Sequence, residues 1–166
     1  MKRIEVIGFK NIYSSYSLVF KIFTHKKGNV FVRIDSGLNN QNEYIVFLDT
    51  NKFTGNLASK GYFDSDNPLD APENQKPWIK PKIKQCIEGF KNSSENPVPL
   101  STISFYDNEV RFTDGITRMS WLVENEAEII PIQTDIHSIQ KLQELFGADD
   151  YKSKTIQEYL EEYQNQ

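Results

Sequence analysis

One stretch, from Glu109 to Ile132, combines residue types and spacing that could do chemistry. Glu109-Val110-Arg111-Phe112 alternates polar and apolar residues as a strand does, Asp114-Gly115 makes a turn, and the period then switches to that of a helix from about Ile116 to Asn125. Glycine at such a junction lets the backbone turn tightly and come close to a ligand. The first free N–H groups of the helix point back at the turn, a geometry that binds anions, phosphate above all. Thr117 can donate from the first turn, and Arg118 can meet an oxyanion with its planar fork. Met119, Leu122 and Val123 fall on the inward face, and Trp121 covers a flank. The same residues admit a plainer reading, in which Asp114 caps the helix and Arg118 pairs with Glu109 or Glu124 on the surface. Spacing alone leaves both open.

The elements that must hold this stretch can be read on either side of it. Residues 4–7 are strand-like. Tyr16, Leu18, Phe20 and Ile22 alternate with polar or smaller residues, a turn follows at Lys26 to Asn29, and Val30, Val32 and Ile34 repeat the period of two, which predicts a hairpin. Ser36 to Asn42 is a polar loop, and Tyr44 to Leu48 is apolar throughout, as in a strand buried on both faces. Asp49-Thr50 can cap a helical turn carrying Phe53 and Leu57. Gly61 to Pro77 is too long for a plain connection, and such loops are often functional. From Trp78, the residues Ile79, Ile83, Cys86, Ile87 and Phe90 predict one helical face, with Cys86 in core packing.

Asn92 to Pro99 is a break, Leu100 to Phe105 a strand, and Asp107-Asn108 a tight turn. Ile129 to Ile132 predicts a short strand that Pro131 places near a sheet edge. Ile136, Ile139, Leu142, Leu145 and Phe146 share a helical face that stops at Gly147. Thr155-x-x-Glu158 has the form of a capping box, ahead of a stripe of Ile156, Tyr159, Leu160 and Tyr163. The Asp149-Asp150 hinge makes that last helix an appendage, so residues 1–150 form the domain and 151–166 the C-terminal helix.

Composition narrows the function. A chain of 166 residues fits one domain, and eleven Phe with eight Tyr supply the bulk of a core. The formal charge of −4 offers no global basic excess for nonspecific nucleic-acid binding. No run of about 18 apolar residues is present, so no transmembrane helix is expected. Met1 to Phe9 reads as a strand rather than a signal peptide, and an intracellular protein is expected. Cys86 is the only cysteine, which excludes an internal disulfide and a Cys-based zinc cluster, and the spacing of His25 and His137 suggests no metal site.

Phe112-x-Asp114-Gly115-x-x-Arg118-x-x-Trp121-Leu122, with Ile130-Pro131-Ile132 behind it, resembles the signature of the ParB/sulfiredoxin superfamily. Within it the chain most resembles the plasmid fertility inhibition factors, whose pattern Phe-x-Asn/Asp-Gly-x-x-Arg-x-x-Trp-Leu these residues match. Phe47-Leu48-Asp49 with Phe53 also resembles their strand that ends in Leu-Asp and leads to a Phe. The family usually has a His before the Arg, where this chain has Thr117. Sulfiredoxins carry their reactive Cys at the place of Ile116, so sulfinic-acid repair is not supported here. ParB proteins have two successive arginines and a separate DNA-reading domain, whereas this chain has Arg118 alone.

The resemblance implies an α+β fold, a ParB/sulfiredoxin-like mixed sheet with packed helices and a C-terminal helical appendage. It implies a cytoplasmic plasmid-encoded protein that blocks export of another plasmid's DNA through a type IV secretion system. The partner would be a protein of the coupling machinery or its DNA cargo, and the acidic balance favours protein. No membrane insertion is expected. As an enzyme of this fold it would use ATP and Mg2+, with Asp114, Gly115, Thr117 and Arg118 holding the anion or nucleotide and Asp49 as a secondary candidate. A third reading keeps the fold as an immunity or scaffold protein without the chemistry.

Overall fold

The computed structural model describes residues 3–60 and 79–166, and of 56–60 and 79–83 the backbone alone. The stretch 61–77, Trp78, and the side chains of Leu57, Ile79 and Ile83 therefore lie outside the described residues. In chain order the elements are β1 (Ile4–Ile12), β2 (Ser15–Thr24), β3 (Gly28–Asp35), β4 (Tyr44–Asp49), α1 (Thr50–Lys60), α2 (Ile79–Phe90), β5 (Val98–Pro99), β6 (Ser101–Tyr106), β7 (Glu109–Asp114), α3 (Ile116–Glu124), β8 (Ile129–Thr134), α4 (Ile139–Phe146), β9 (Lys154–Thr155) and α5 (Ile156–Gln164). The expected α+β architecture is present, with its strands divided between two mixed sheets of four and five strands.

The first sheet is a meander of β1, β2 and β3. Leu18, Phe20 and Ile22 face Ile34, Val32 and Val30, and all six are buried. A slip of one residue would turn the whole set outward, so the hydrophobic pattern fixes the register. Where the sequence suggested a plain break before Leu100, β5 adds to β3 as a short parallel strand. The second sheet runs β7-β6-β8-β4-β9. Its strand β4 lies inside the sheet and is buried over Ile45 to Leu48, as its unbroken apolar run predicts.

Three expectations need correction. Pro131 does not mark an edge, because β8 is the middle strand. Pro131 faces Phe47, whose carbonyl turns away to accept the Ala148 N–H at 2.9 Å, so this pair exchanges no hydrogen bond and needs no donor at residue 131. On the other side, β6 pairs with β8 only from Ile132 onward. Second, Ile87 and Ile136 leave their helical faces, at 42% and 53% exposed, and Ile136 precedes α4 altogether. Third, α5 is docked and not appended. The capping box at Thr155 and Glu158 forms, β9 joins β4, and Ile156 and Tyr159 enter the common core. Phe20 meets both Phe47 and Tyr159 edge to face, with ring centroids 5.9 and 6.1 Å apart, so one side chain joins both sheets to α5.

Among the described residues no helix is long and apolar enough to cross a membrane. The docking of α5 predicts that Ile156→Ala lowers the unfolding free energy in urea by about 2–5 kcal/mol, as other large-to-small core changes do. A loss below about 0.5 kcal/mol, the range of surface residues, would return α5 to an appendage.

Candidate functional site

The site is built where the chain passes from the first sheet to the second. Val98 and Pro99 belong to β5, the Leu100 N–H donates to the Arg33 carbonyl at 2.8 Å, and Ser101 starts β6 beside Ile132 of β8. The β6–β7 hairpin turns on Asp107 and Asn108, both left-handed at φ 52° and 60°, the conformation a two-residue hairpin loop demands. Ile103 then pairs with Phe112, but Thr102 pairs with Asp114, so Thr113 is an extra residue. Such a bulge bends the end of a strand, and here it turns Asp114 into the junction with α3.

Gly115 is the N-cap of α3 at φ 85°, ψ 21°, and no side chain caps the helix. Two independent constraints require glycine. A side chain is strained at this φ, and a Cβ would lie 2.7 Å from Ser101 Oγ and 2.8 Å from Arg118 Nη2. Asp49 accepts the Lys52 N–H at 3.0 Å to cap α1, and Thr155 caps α5, whereas the N-cap residues of α3 and α4 make no side-chain cap bond.

Arg118 lies four residues beyond Asp114 and folds back along the first turn. Its Nη2 donates to Asp114 Oδ2 at 3.0 Å and to the Leu100 carbonyl at 3.4 Å. The side chain is only 22% exposed, and its Nε is buried without a partner. Neither Glu109 nor Glu124 is its counter-ion, since Glu109 sits 3.7 Å from Arg111 and the pairing stays inside the motif. Part of the guanidinium fork is thus held while donors remain for an oxyanion. Asp114 stands in front of that fork, 67% exposed, so an arriving anion must displace its carboxylate or share it with a cation.

Asp114, Gly115, Thr117 and Arg118 line one cavity of about 340 Å³, together with Ile116, Val98 and Pro99 of β5, and Gln85 and Cys86 of α2. The α2 wall is set by a parallel stack of Phe90 on Trp121, with centroids 4.2 Å apart and planes 9° from parallel. The motif residues therefore come together as their spacing predicts. Asp49 does not join them. It caps α1 at the end of β4, and β8 and β6 lie between β4 and β7. Sequence spacing missed Leu100 and Ser101 beneath the turn and Gln85 in the wall, and no local pattern marks any of them. A larger cleft of about 580 Å³ between β1 and α5, walled by Phe9, Phe47 and Tyr159, contains none of the motif.

Cys86 is buried as expected, at 8% exposed, but it also forms part of the cavity wall. Its thiol donates weakly to the Thr117 carbonyl at 3.8 Å. Burial pushes its pKa up to about 12, against a smaller opposing pull from Arg118. The thiol is therefore neutral at ordinary pH and a poor nucleophile. Among the described residues no group of three or more His, Cys, Asp or Glu side chains could hold a metal ion.

The two-sheet α+β frame with the strand–turn–helix around Gly115 is shared with a solved structure. That structure, titled the oncogenic suppression activity protein, a plasmid fertility inhibition factor, in its gold(I) cyanide derivative, superposes with a TM-score of 0.75. The match covers 99% of this chain and 85% of that one at 21% identity. The family model described as plasmid fertility inhibition factor matches residues 45–147, and the chain belongs to that family. No curated protein sequence matches the chain.

The raised thiol pKa gives a pH prediction. The unfolded thiol ionises near its ordinary value of 9.0, while the folded one stays protonated to about 12. Its contribution to stability is complete below pH 9 and is lost as the pH rises from 9 toward 12. Cys86→Ala should show a shallower loss of stability over that window in urea titrations. Native protein at pH 8 should resist a bulky thiol reagent that labels it at once in urea, and rapid native labelling would contradict the buried, neutral thiol.

Proposed function

We propose that this protein acts in the cytoplasm as a fertility inhibition factor, blocking conjugative or type IV secretion DNA transfer by binding the coupling machinery or its DNA cargo. The observation that carries the reading is the partly engaged Arg118 fork, which shares a cavity with the uncapped first turn of α3. Two kinds of fixed positive potential, a guanidinium and helical N–H groups, converge there, and together they recognise an oxyanion. In a protein partner that anion is a carboxylate side chain, and in DNA it is a backbone phosphate. The net charge of −4 favours the protein, because an acidic surface repels a polyphosphate.

The position of Asp114 supports a second reading, that of a nucleotide-dependent ATPase, nuclease or phosphotransferase. A carboxylate beside phosphate donors could share a Mg2+ ion with the phosphates of ATP, since magnesium is commonly bound by one or two carboxylates plus phosphate oxygens. The residues fit the ion only as that shared complex. Arg118, Thr117 and the α3 amides would hold the phosphate, and Asp114 would hold the metal.

Both readings assign Arg118 the anion. Arg118→Ala should relieve inhibition of plasmid transfer in a mating assay, and Arg118→Lys should do nearly as much, because lysine lacks the fork. The melting temperature should fall only modestly, since the Asp114 end of the ion pair is 67% exposed and such pairs contribute under about 1 kcal/mol. Binding should weaken with salt, though less steeply than a long DNA contact. A folded Arg118→Ala protein that inhibits transfer fully and keeps its ATP affinity would contradict the site.

A further inference from the structure

We propose that Ser101 is the positioning residue of the anion site, orienting the first amide of α3 through the Gly115 peptide. The inference rests on the anion reading given above and extends it to a residue outside the motif. Ser101 is 4% exposed and fixed at the start of β6, where it pairs with Ile132. Its hydroxyl donates to the Gly115 carbonyl at 2.7 Å, the same carbonyl that accepts the first helical bond from Met119 N–H at 3.0 Å. The peptide between Gly115 and Ile116 is planar and trans, so its C=O and N–H point in opposite directions. Drawing the carbonyl down onto Ser101 and Met119 therefore turns the Ile116 N–H the other way, outward from the end of the helix, where Gly115, Ile116 and Thr117 line the cavity.

The residue before it acts on the other half of the site. Leu100 is held by its N–H to Arg33 in the first sheet, and its carbonyl accepts from Arg118 Nη2 at 3.4 Å. Two consecutive residues, anchored in two sheets, thus set the direction of the amide and the place of the guanidinium. Without the Ser101 hydroxyl the Gly115 peptide keeps only its helical bond, and glycine's wide φ range lets the plane tilt. An anion would then meet a misdirected donor, with Arg118 and the overall fold unchanged.

The test is calorimetric titration of ATP, with and without Mg2+, into wild type, Ser101→Ala and Ser101→Thr, well below each melting temperature. The expected result is a loss of affinity of about 5–10-fold in Ser101→Ala, the worth of one oriented hydrogen bond, per folded molecule. Ser101→Thr keeps the hydroxyl and should bind within about 2–3-fold of wild type, a rescue that a merely stabilising role does not require. Should Ser101→Ala fail to fold, Ser101→Cys preserves the volume with a weaker donor and should show a smaller loss in the same direction. Wild type binding ATP while Ser101→Ala or Ser101→Cys binds it equally well overturns the role of Ser101 alone. Wild type that binds no ATP in either condition overturns the nucleotide-phosphate site itself.

Discussion

The left-handed turn at Gly115, pressed onto the backbone of Ser101, is the constraint on which the candidate site depends. A side chain at this position would meet Ser101 and Arg118 at once, so β7, α3 and β6 can converge only around a residue without a Cβ. The bulge at Thr113 delivers the chain to that turn, and the sheet beneath receives it. The helix that follows cannot be capped by its own N-cap side chain, because glycine has none. Close packing and the absence of a side-chain cap thus have one cause.

The rest of the fold packs against this junction from two sides. Met119 and Leu122 are buried from α3, and Trp121 stacks on Phe90, so α3 is held from beneath by the core and from the side by α2. Both sheets are tied at Leu100 and again at Phe20, which bridges Phe47 and Tyr159. Arg118 is mostly buried, and its Nε, like Arg33 Nε and Thr134 Oγ1, is buried without a partner. Its pairing with Asp114 at 3.0 Å places a counter-charge beside the cation.

How much of this could be read from the residues follows from the range of the forces involved. Alternation in β2 and β3 and the apolar run of β4 are local patterns set by burial, and they gave the strands correctly. The turn at Asp114-Gly115 and the helix after it were legible for the same reason, because the change of period falls on a glycine. Pro131 misled because its propensity for edges is a rule about missing donors, and the non-hydrogen-bonded pair with Phe47 removes the need for one. The last helix misled because Asp149-Asp150 looks like a hinge in sequence, whereas β9 and Tyr159 commit the chain to the core just beyond it. Cavity walls supplied by Gln85, Cys86 and Val98 come from elements distant in the chain, and no local pattern encodes that meeting.

The central claim is that the uncapped turn of α3 and Arg118 together receive an anion. The most direct measurement is a titration of ATP into uniformly nitrogen-15-labelled protein, followed amide by amide by NMR. The account predicts saturable shifts concentrated at Gly115, Ile116, Thr117 and Arg118, with the Arg118 side-chain Nε signal moving in step. Saturable shifts confined to another surface, such as the cleft between β1 and α5, or no shifts at residues 115–118 at any ATP concentration, would contradict it.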